Sequence, residues 1–340
     1  MKTKDVSTPK RLILLIVLTL WVCVTAMRAQ TPVDQDDIIR TETDVTNLPF
    51  TAIDQQRRFI TTLRAEDLRI LEDGVPQELF TFQRETDRPL SIAFLIDVSI
   101  SQQYTLPDEK AAARGFIEKA IRSNKDQLAI VPFTGSAFLE LGMTHDILSV
   151  YRVLQQIDVA IPAYQGAGRP LQGIPVVPGQ PGIPDEGTTA IWDAVALTSS
   201  QVLARTKDQR RRAIILLTDG LDTSSRLKRS EAIDRVIAAE SIVYVIGIGD
   251  SKGEGVNKGV LKELAERTGG RAFFPKKEGE LQTAFTEIEQ ELRTQYLLAY
   301  SSTNKRHDGS YRRITIEVTN PDLKKQNLMI RHRPGYFAKR

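Results

Sequence analysis

Oxygen-bearing side chains recur at a spacing of two directly after a short apolar run. Residues Ile92 to Ile96 are apolar, and Asp97, Ser99 and Ser101 follow them. One carboxylate and two hydroxyls can therefore turn toward a single point where the run ends. The cluster contains no His or Cys, so it suits a hard cation such as Mg²⁺, which prefers oxygen ligands in near-octahedral geometry and keeps some waters.

Two further oxygen donors stand where later elements begin or end. Thr189 lies where a Pro- and Gly-rich segment leads into a helix, and Asp219 follows a second apolar strand in the run Leu217-Thr218-Asp219-Gly220. In open α/β sheets, ligands bind at the carboxyl ends of the strands. If the strands that end at Asp97 and Asp219 are neighbours, both carboxylates reach the same crevice, and water fills any remaining coordination position.

Each of these signals alone has an ordinary structural explanation. Ser99 and Ser101 can cap the following helix, and Thr-Asp-Gly is more often a strand-end turn than a ligand. Asp193 and Asp222 lie near the predicted site, where they can orient waters. Such residues more often cap helices or face solvent, so they are not counted as ligands. The order of the donors along the chain is what favours a metal site.

The chain from Leu90 onward alternates strands with helices, which predicts a doubly wound, mostly parallel six-stranded α/β sheet with helices on both faces. After the strand that ends at Asp97, the predicted strands are Gln127 to Phe133, Ala137 to Met143 as an antiparallel edge, Ala213 to Thr218, Ile242 to Ile248 and Arg271 to Phe274. The first predicted helix begins at Pro107. The others are Asp146 to Ile157, Thr189 to Ala204, Ser230 to Glu240, Gly259 to Thr268 and Glu280 to Arg293.

The segments on either side of this domain are β-prone. Residues 38–88 include short pieces such as Phe59 to Leu63, and Glu72-Asp73-Gly74 is a predicted hairpin turn with glycine available for positive φ. Residues 295–340 are also β-prone. Because about 50 residues alone would be marginal, we expect both segments to pair into one small β-sandwich, into which the domain of residues 89–294 is inserted.

The chain begins like an exported protein. Basic residues precede an apolar stretch from Leu12 to Val24, and Ala26 or Ala29 offers a cleavage position, which predicts a signal peptide over residues 1–29. Residues 30–37 form a polar, flexible spacer. Cys23 is the one cysteine and lies within the apolar stretch without small residues before it, so it is not a lipid-attachment site. We therefore expect a periplasmic or secreted protein without disulfides.

Several function classes are unfavourable. Residues 1–29 hold five of the 46 basic and one of the 43 acidic residues, so the remainder is nearly neutral, with no reason to propose nucleic acid or an anionic membrane as partner. The three histidines, His145, His307 and His332, offer no base near Ser99 or Ser101, and no phosphate-binding Gly-x-x-x-x-Gly-Lys-Ser/Thr run is present. A metal-dependent phosphatase would be expected to have a second acid two residues after Asp97. We therefore expect that the protein is not an enzyme.

The donor order resembles the von Willebrand factor type A domain and its metal-ion-dependent adhesion site, over about residues 89–294. The resemblance implies that Ser99 and Ser101 bind the metal directly, that Thr189 binds directly or through water, and that Asp97 and Asp219 bind mainly through water. One coordination position would remain for a carboxylate from a partner protein.

The flanking pieces Leu71-Glu72-Asp73-Gly74 and Pro334-Gly335-Tyr336-Phe337 are similar to a family of exported bacterial proteins, VWFA-related and abundant in Acidobacteria. One departure is that Ile100 and Gln102 stand where the family often has glycine and a small residue or methionine. A β-branched residue can still take the extended geometry.

These features lead to two hypotheses from different classes. The first is a protein-binding or adhesion module that grips an acidic side chain through Mg²⁺ or Mn²⁺. In that case the loop from Pro162 to Gly187 contributes specificity, unless it is a tolerated surface insertion. The second is an envelope scaffold in which the sandwich assembles and the metal site is vestigial or merely stabilising.

Overall fold

The computed structural model describes residues 45–84, 87–160, 169–170, 188–207, 210–249 and 256–339. The predicted signal peptide and spacer, and nearly all of the Pro162 to Gly187 loop, lie outside the described residues. All of these described residues belong to one compact unit. None of the helices formed by the described residues is both long and apolar enough to cross a membrane.

A six-stranded sheet forms the centre of this unit. From one edge to the other its strands are β12 (Ala272–Phe273), β11 (Ser241–Gly247), β10 (Arg211–Thr218), β5 (Leu90–Asp97), β6 (Gln127–Phe133) and β8 (Leu141–Thr144). All neighbours run parallel except β8, which is antiparallel to β6. Every residue of β5 is buried, as a continuous apolar run in a sheet covered on both faces requires. The predicted fold class is confirmed.

Helices cover both faces of this sheet. They are α1 (Leu106–Ala120), α2 (Ile147–Gln156), α3 (Ile191–Leu197), α4 (Arg229–Ala238), α5 (Lys258–Thr268) and α6 (Glu278–Thr294), and a short α7 (Pro321–Lys324) follows in the C-terminal segment. Phe94 packs on the side of α1 and α6, whereas Leu95 packs on the side of α3, α4 and α5. Alternate residues of one strand thus serve two cores.

The remaining strands form two four-stranded sheets that pair both ends of the chain. One contains β15 (Met329–His332), β1 (Val45–Ile53), β13 (Tyr296–Ser301) and β4 (Leu79–Arg84) in that order, and the other β16 (Gly335–Phe337), β14 (Tyr311–Val318), β2 (Leu68–Glu72) and β3 (Val75–Gln77). Phe50 and Tyr296 of the first sheet share one core cluster with Ile70 and Ile314 of the second. The expected sandwich from N- and C-terminal segments is present.

Three local expectations differ from the structure. Residues 59–63 form no strand, because Phe59 makes only an isolated bridge to Ile53 and the Leu63 amide donates to the Tyr296 hydroxyl at 3.0 Å. The predicted edge strand is split into β7 (Phe138–Leu139), which pairs with β9 (Arg169–Pro170), and β8. The predicted helix to Ala204 is α-helical only to Leu197 and continues as a π-helix.

Candidate metal centre

Asp97 ends β5 and is fully buried. Its Oδ1 accepts hydrogen bonds from the Ser99 backbone N–H at 3.0 Å and from Ser99 Oγ at 2.6 Å. Its Oδ2 accepts from Thr218 Oγ1 at 2.6 Å, across the neighbouring strand. The carboxylate is therefore held in one orientation by two strands, at the carboxyl edge of the sheet.

The two serines continue this cluster toward the surface. Ser99 Oγ and Ser101 Oγ lie 3.0 Å apart, and a single 3₁₀ turn over Ile100–Gln102 connects them to the start of α1. Ser99 is buried whereas Ser101 is exposed. The donor group thus extends from the sheet core to solvent, where a ligand from another molecule can reach it.

Asp219 lies at the same edge because β10 is the direct neighbour of β5. The two strands run parallel with Ile96 opposite Leu217, so Asp97 and Asp219 both follow the last paired positions. Asp219 Oδ1 accepts from the Leu221 N–H at 3.0 Å. The turn continues through Gly220 at φ +83°, where an added Cβ would lie 2.8 Å from the Leu261 side chain.

Thr189 is buried just before α3 and is tied to the loop that follows Asp219. Its N–H donates to Thr223 Oγ1 at 2.8 Å, and its carbonyl accepts from the backbone N–H groups of Thr223 and Ser224 at 2.9 and 3.1 Å. The Ala190 N–H donates to the Thr134 carbonyl at 2.7 Å, which anchors this segment beyond the end of β6. The structure therefore places Asp97 at the last position of β5 and the other four predicted donors in the loops after β5, after β10 and before α3.

Electrostatics in this cluster favour a positive partner. The pKa of Asp97 is raised to about 6: burial is the main cause, the nearby Asp219 charge adds to it, and the hydrogen bonds from Ser99 and Thr218 oppose both effects. No cationic side chain is among the main influences on this pKa. Two adjacent carboxylates in a desolvated position repel each other, and a bound cation would relieve that repulsion.

A polar chain behind the metal loops was not predicted. With its side-chain amide in the orientation that satisfies the neighbouring groups, Gln102 donates to Thr105 Oγ1 at 2.7 Å and to Glu109 Oε1 at 3.1 Å, and its oxygen accepts from the Asp219 backbone N–H at 3.2 Å. Glu109 is fully buried, and burial raises its pKa to about 8, with added repulsion from Asp97 and Asp219. Gln102 thus connects the loop after β5 with the loop after β10.

The periodicity of the sequence could not predict the hydrogen-bonded group of Gln102, Thr105 and Glu109, or the role of Thr218, because their partners lie in other elements. The only sequence signal was that Thr218 ends a buried strand and Glu109 follows a helix-opening proline on the buried face of α1.

Asp193 and Asp222 brace the loops instead of facing the donor cluster. Asp222 Oδ1 accepts from the Ile191 N–H at 2.7 Å and so caps the start of α3. The Asp193 carboxylate accepts from the N–H groups of Arg226 and Leu227 at 2.9–3.1 Å. The sequence left open whether these two aspartates orient waters at the metal site or cap local structure, and their contacts are of the capping kind.

The donor chemistry fits a hard divalent cation. Among the described residues, no group of three or more His, Cys, Asp and Glu side chains could hold a metal ion. A cation at this edge would therefore rest on two carboxylates with hydroxyl and water oxygens, a set that suits Mg²⁺ or Mn²⁺ better than a soft metal.

Part of the chain matches a known family model. Residues 182–287 match the family model of the von Willebrand factor type A domain. A search of curated proteins found no significant match.

Solved structures also resemble the chain. BatB from Bacteroides thetaiotaomicron is 18% identical over 60% of this chain and 100% of its own, with a TM-score of 0.43. A von Willebrand factor type A protein from Catenulispora acidiphila is 13% identical over 72% of this chain and 70% of its own, with a TM-score of 0.46. Proximal thread matrix protein 1 from mussel byssus, with a zinc-occupied MIDAS motif, is 17% identical over 65% of this chain and 50% of its own, with a TM-score of 0.48.

Proposed function

We propose that this chain, which carries a von Willebrand factor type A domain, is an exported, non-enzymatic adhesion module. It binds an acidic side chain of a partner protein through a divalent cation at the sheet edge. Domains of this type are protein-interaction modules, and the export proposal rests on the signal-like first 29 residues.

The observation that carries the proposal is the path of oxygen atoms from a buried carboxylate to an exposed hydroxyl. Asp97 and Ser99 are joined at 2.6 Å and Ser99 and Ser101 at 3.0 Å, while Asp97 is fully buried and Ser101 faces solvent. A purely structural cap would have no need for an exposed end. This arrangement leaves an open side from which a carboxylate of another protein can approach.

The five proposed ligands would contact the cation in different ways. Ser99 and Ser101 would contact the cation directly, Thr189 directly or through water, and Asp97 and Asp219 mainly through water. A bound Mg²⁺ or Mn²⁺ would supply a positive centre that attracts a partner's carboxylate. Thr218 and Gln102 hold the two loops in register, since they connect Asp97 with β10 and the Asp219 N–H with the loop after β5.

Calorimetry of Mg²⁺ and Mn²⁺ binding to the wild type and to Asp219→Ala tests the cation site. The wild type should bind one ion, and the variant should lose it because one of two buried carboxylates is removed. Asp322→Ala is the matched control, because this aspartate lies on the exposed α7 with its side chain 85% accessible and pairs with the exposed Lys325. Unchanged uptake in Asp219→Ala would refute the assignment.

Pull-down of partners from the native envelope, with and without chelator, tests whether partner binding depends on the cation. Capture should collapse in chelator and in Asp219→Ala but persist in Asp322→Ala. Equal capture under all conditions would remove the cation from the binding mechanism.

A scaffold that assembles through the sandwich is the second candidate. Two edge strands of the same sheet expose large apolar side chains, Phe80 in β4 at 72% and Met329 in β15 at 59%, and exposed apolar edges can pair with other chains. In this case chelator would leave association intact and only lower the melting temperature, whereas Phe80→Ser would weaken it.

A further inference from the structure

A cavity of about 320 Å³ lies between the sandwich and the α/β domain, which we call the seam cavity. Its walls come from the start of β1, the end of α4, the segment between β13 and β14, and the residues around β16. A second space of about 60 Å³ shares Asn47, Glu240 and Arg333 with it and reaches the first residues of β10 and β11. The second space therefore lies at the amino end of β10, whose carboxyl end leads to Asp219.

Arg333 is the feature of the seam cavity that lacks a structural explanation. Its side chain lines both spaces, although the residue is only 9% exposed. The guanidinium donates from Nη2 to the Asn47 carbonyl at 2.9 Å and lies 5.8 Å from the Tyr336 ring centre. Among the described residues no carboxylate pairs with it, and its buried Nε has no hydrogen-bond partner. Burial lowers the pKa of Arg333, and the nearby but exposed Glu240 carboxylate only partly opposes this effect. A buried, weakly compensated cation is costly, which favours the binding of an anion.

The other charges around the seam cavity leave a positive excess. Arg312 also lines it but pairs with the buried Glu72 at 3.3 Å, and Asp234 pairs with Arg267 at 3.3 Å, so these charges are compensated. Lys305, Arg306 and Arg333 also line the cavity, against the exposed Glu240. A negatively charged ligand would be attracted into this space.

Capping of α4 does not account for Arg333. Helix C-terminal carbonyls attract cations, but the Ala239 carbonyl behind α4 is already bonded by Arg212 Nη1 at 3.3 Å and Ser241 Oγ at 3.3 Å. The rest of the wall contains apolar and aromatic surface from Val45, Ile237 and Phe337. The volume lies at the small end of the range for small-molecule pockets.

We propose that the seam cavity binds a small organic oxyanion, a carboxylate or phosphate monoester with an apolar body, which Arg333 anchors. The guanidinium fork suits two oxygens of one ligand. The apolar wall holds the body of the ligand, and Lys305 and Arg306 at the rim draw it in. This site is independent of the metal centre and of the proposed adhesion.

Calorimetric titration of the chain with phenyl phosphate, benzoate and inorganic phosphate tests the proposal. Chelator is present throughout, so that an anion cannot bind through a cation at the metal centre. One equivalent of phenyl phosphate or benzoate should bind, and whichever binds more tightly identifies the preferred oxyanion. Inorganic phosphate should compete but bind more weakly, because it lacks the apolar body.

Two variants and one control identify the site. Arg333→Gln should weaken binding at least tenfold, and Val45→Trp, at an exposed lining position that leaves every charge in place, should weaken it by blocking the cavity. Arg64→Gln is the control, because Arg64 is exposed and lies outside the cavity. If Arg333→Gln does not fold, Val45→Trp still decides the outcome.

Absence of binding to the wild type, affinity unchanged in both variants, or an equal loss in Arg64→Gln would each overturn the proposal. Failure of Mg²⁺ uptake would affect only the metal centre, so the two proposals fail separately.

Discussion

Replacing the buried Glu109 by Gln should stabilise the metal-free protein. Glu109 is fully buried on α1, its Oε2 has no hydrogen-bond partner, and burial is the main reason that its pKa rises from 4.5 to about 8. Glutamine keeps the size of the side chain and an oxygen for the Gln102 amide, but it has no proton to lose. The substitution therefore removes only the penalty of keeping the acid protonated in the fold.

The sign and size follow from the two pKa values. Above pH 4.5 the unfolded chain loses the Glu109 proton while the folded chain keeps it, so the free energy of unfolding falls as the pH rises toward 8. At ~1.4 kcal/mol per pH unit, the penalty is under ~1 kcal/mol at pH 5 and about 3 kcal/mol at pH 7. Glu109→Gln should add about that much stability at each pH.

Urea denaturation of both proteins in chelator at pH 5 and pH 7 measures this difference. Glu118→Gln on the same helix is the matched control, because that side chain is 52% exposed and pairs with Arg114 across one turn. The control should change stability by less than ~0.5 kcal/mol at either pH. If Glu109→Gln is destabilising at pH 7, or gives the same change at pH 5 and pH 7, the buried carboxyl is not protonated as described.

Other sites give predictions of known sign. Burial raises the pKa of Asp126, but hydrogen bonds from Arg122, the Leu90 N–H and Arg293 outweigh burial and hold it at about 2. The lowered pKa contributes up to about 2 kcal/mol to the free energy of unfolding; this contribution is present above pH 4 and is lost as the pH falls toward 2. In Asp126→Asn, the free energy of unfolding should therefore depend less on pH over that interval, as acid denaturation would measure. Gly220→Ala should cost about 2 kcal/mol and impair Mg²⁺ uptake, because of the positive φ and the contact with Leu261, whereas Gly115→Ala in the open interior of α1 should be neutral or stabilising in thermal melts. Glu72→Ala should destabilise by roughly 3–5 kcal/mol, because it leaves Arg312 buried without its partner; chemical denaturation that shows under ~1 kcal/mol would contradict this.

The sequence revealed those parts of the fold that depend on continuous apolar runs. Ile92 to Ile96 predicted a strand buried on both faces, and β5 is buried throughout. The pairing of the two chain ends was also predictable, because residues 38–88 cannot bury a sandwich core alone. The failure at Phe59 has a physical reason: the Leu63 amide is satisfied by a tyrosine hydroxyl 233 residues away, and no local pattern carries that information.

The positions of the predicted donors near strand ends followed from the sequence, whereas the groups behind them could not be predicted. Asp97 and Asp219 stand at strand ends, where the side-chain pattern itself changes from apolar to polar. Gln102, Glu109 and Thr218 instead act through contacts between elements, and in the sequence they look like ordinary helix or strand residues. The seam cavity could not be predicted either, because Arg333 is separated by hundreds of residues from the Asn47 carbonyl that it contacts.

The pairing of β1 with β13, which joins Val45 to Ser301, also orders the events of synthesis. During translation β1 emerges long before β13 exists, so it must stay unpaired until β13 has been made. Loss of residues 301–340 would remove β14 from one side of β2 and β15 from one side of β1. The segment after β13 therefore completes the sandwich. A chain truncated before this segment would expose the edges of β1 and β2, which can aggregate or be degraded.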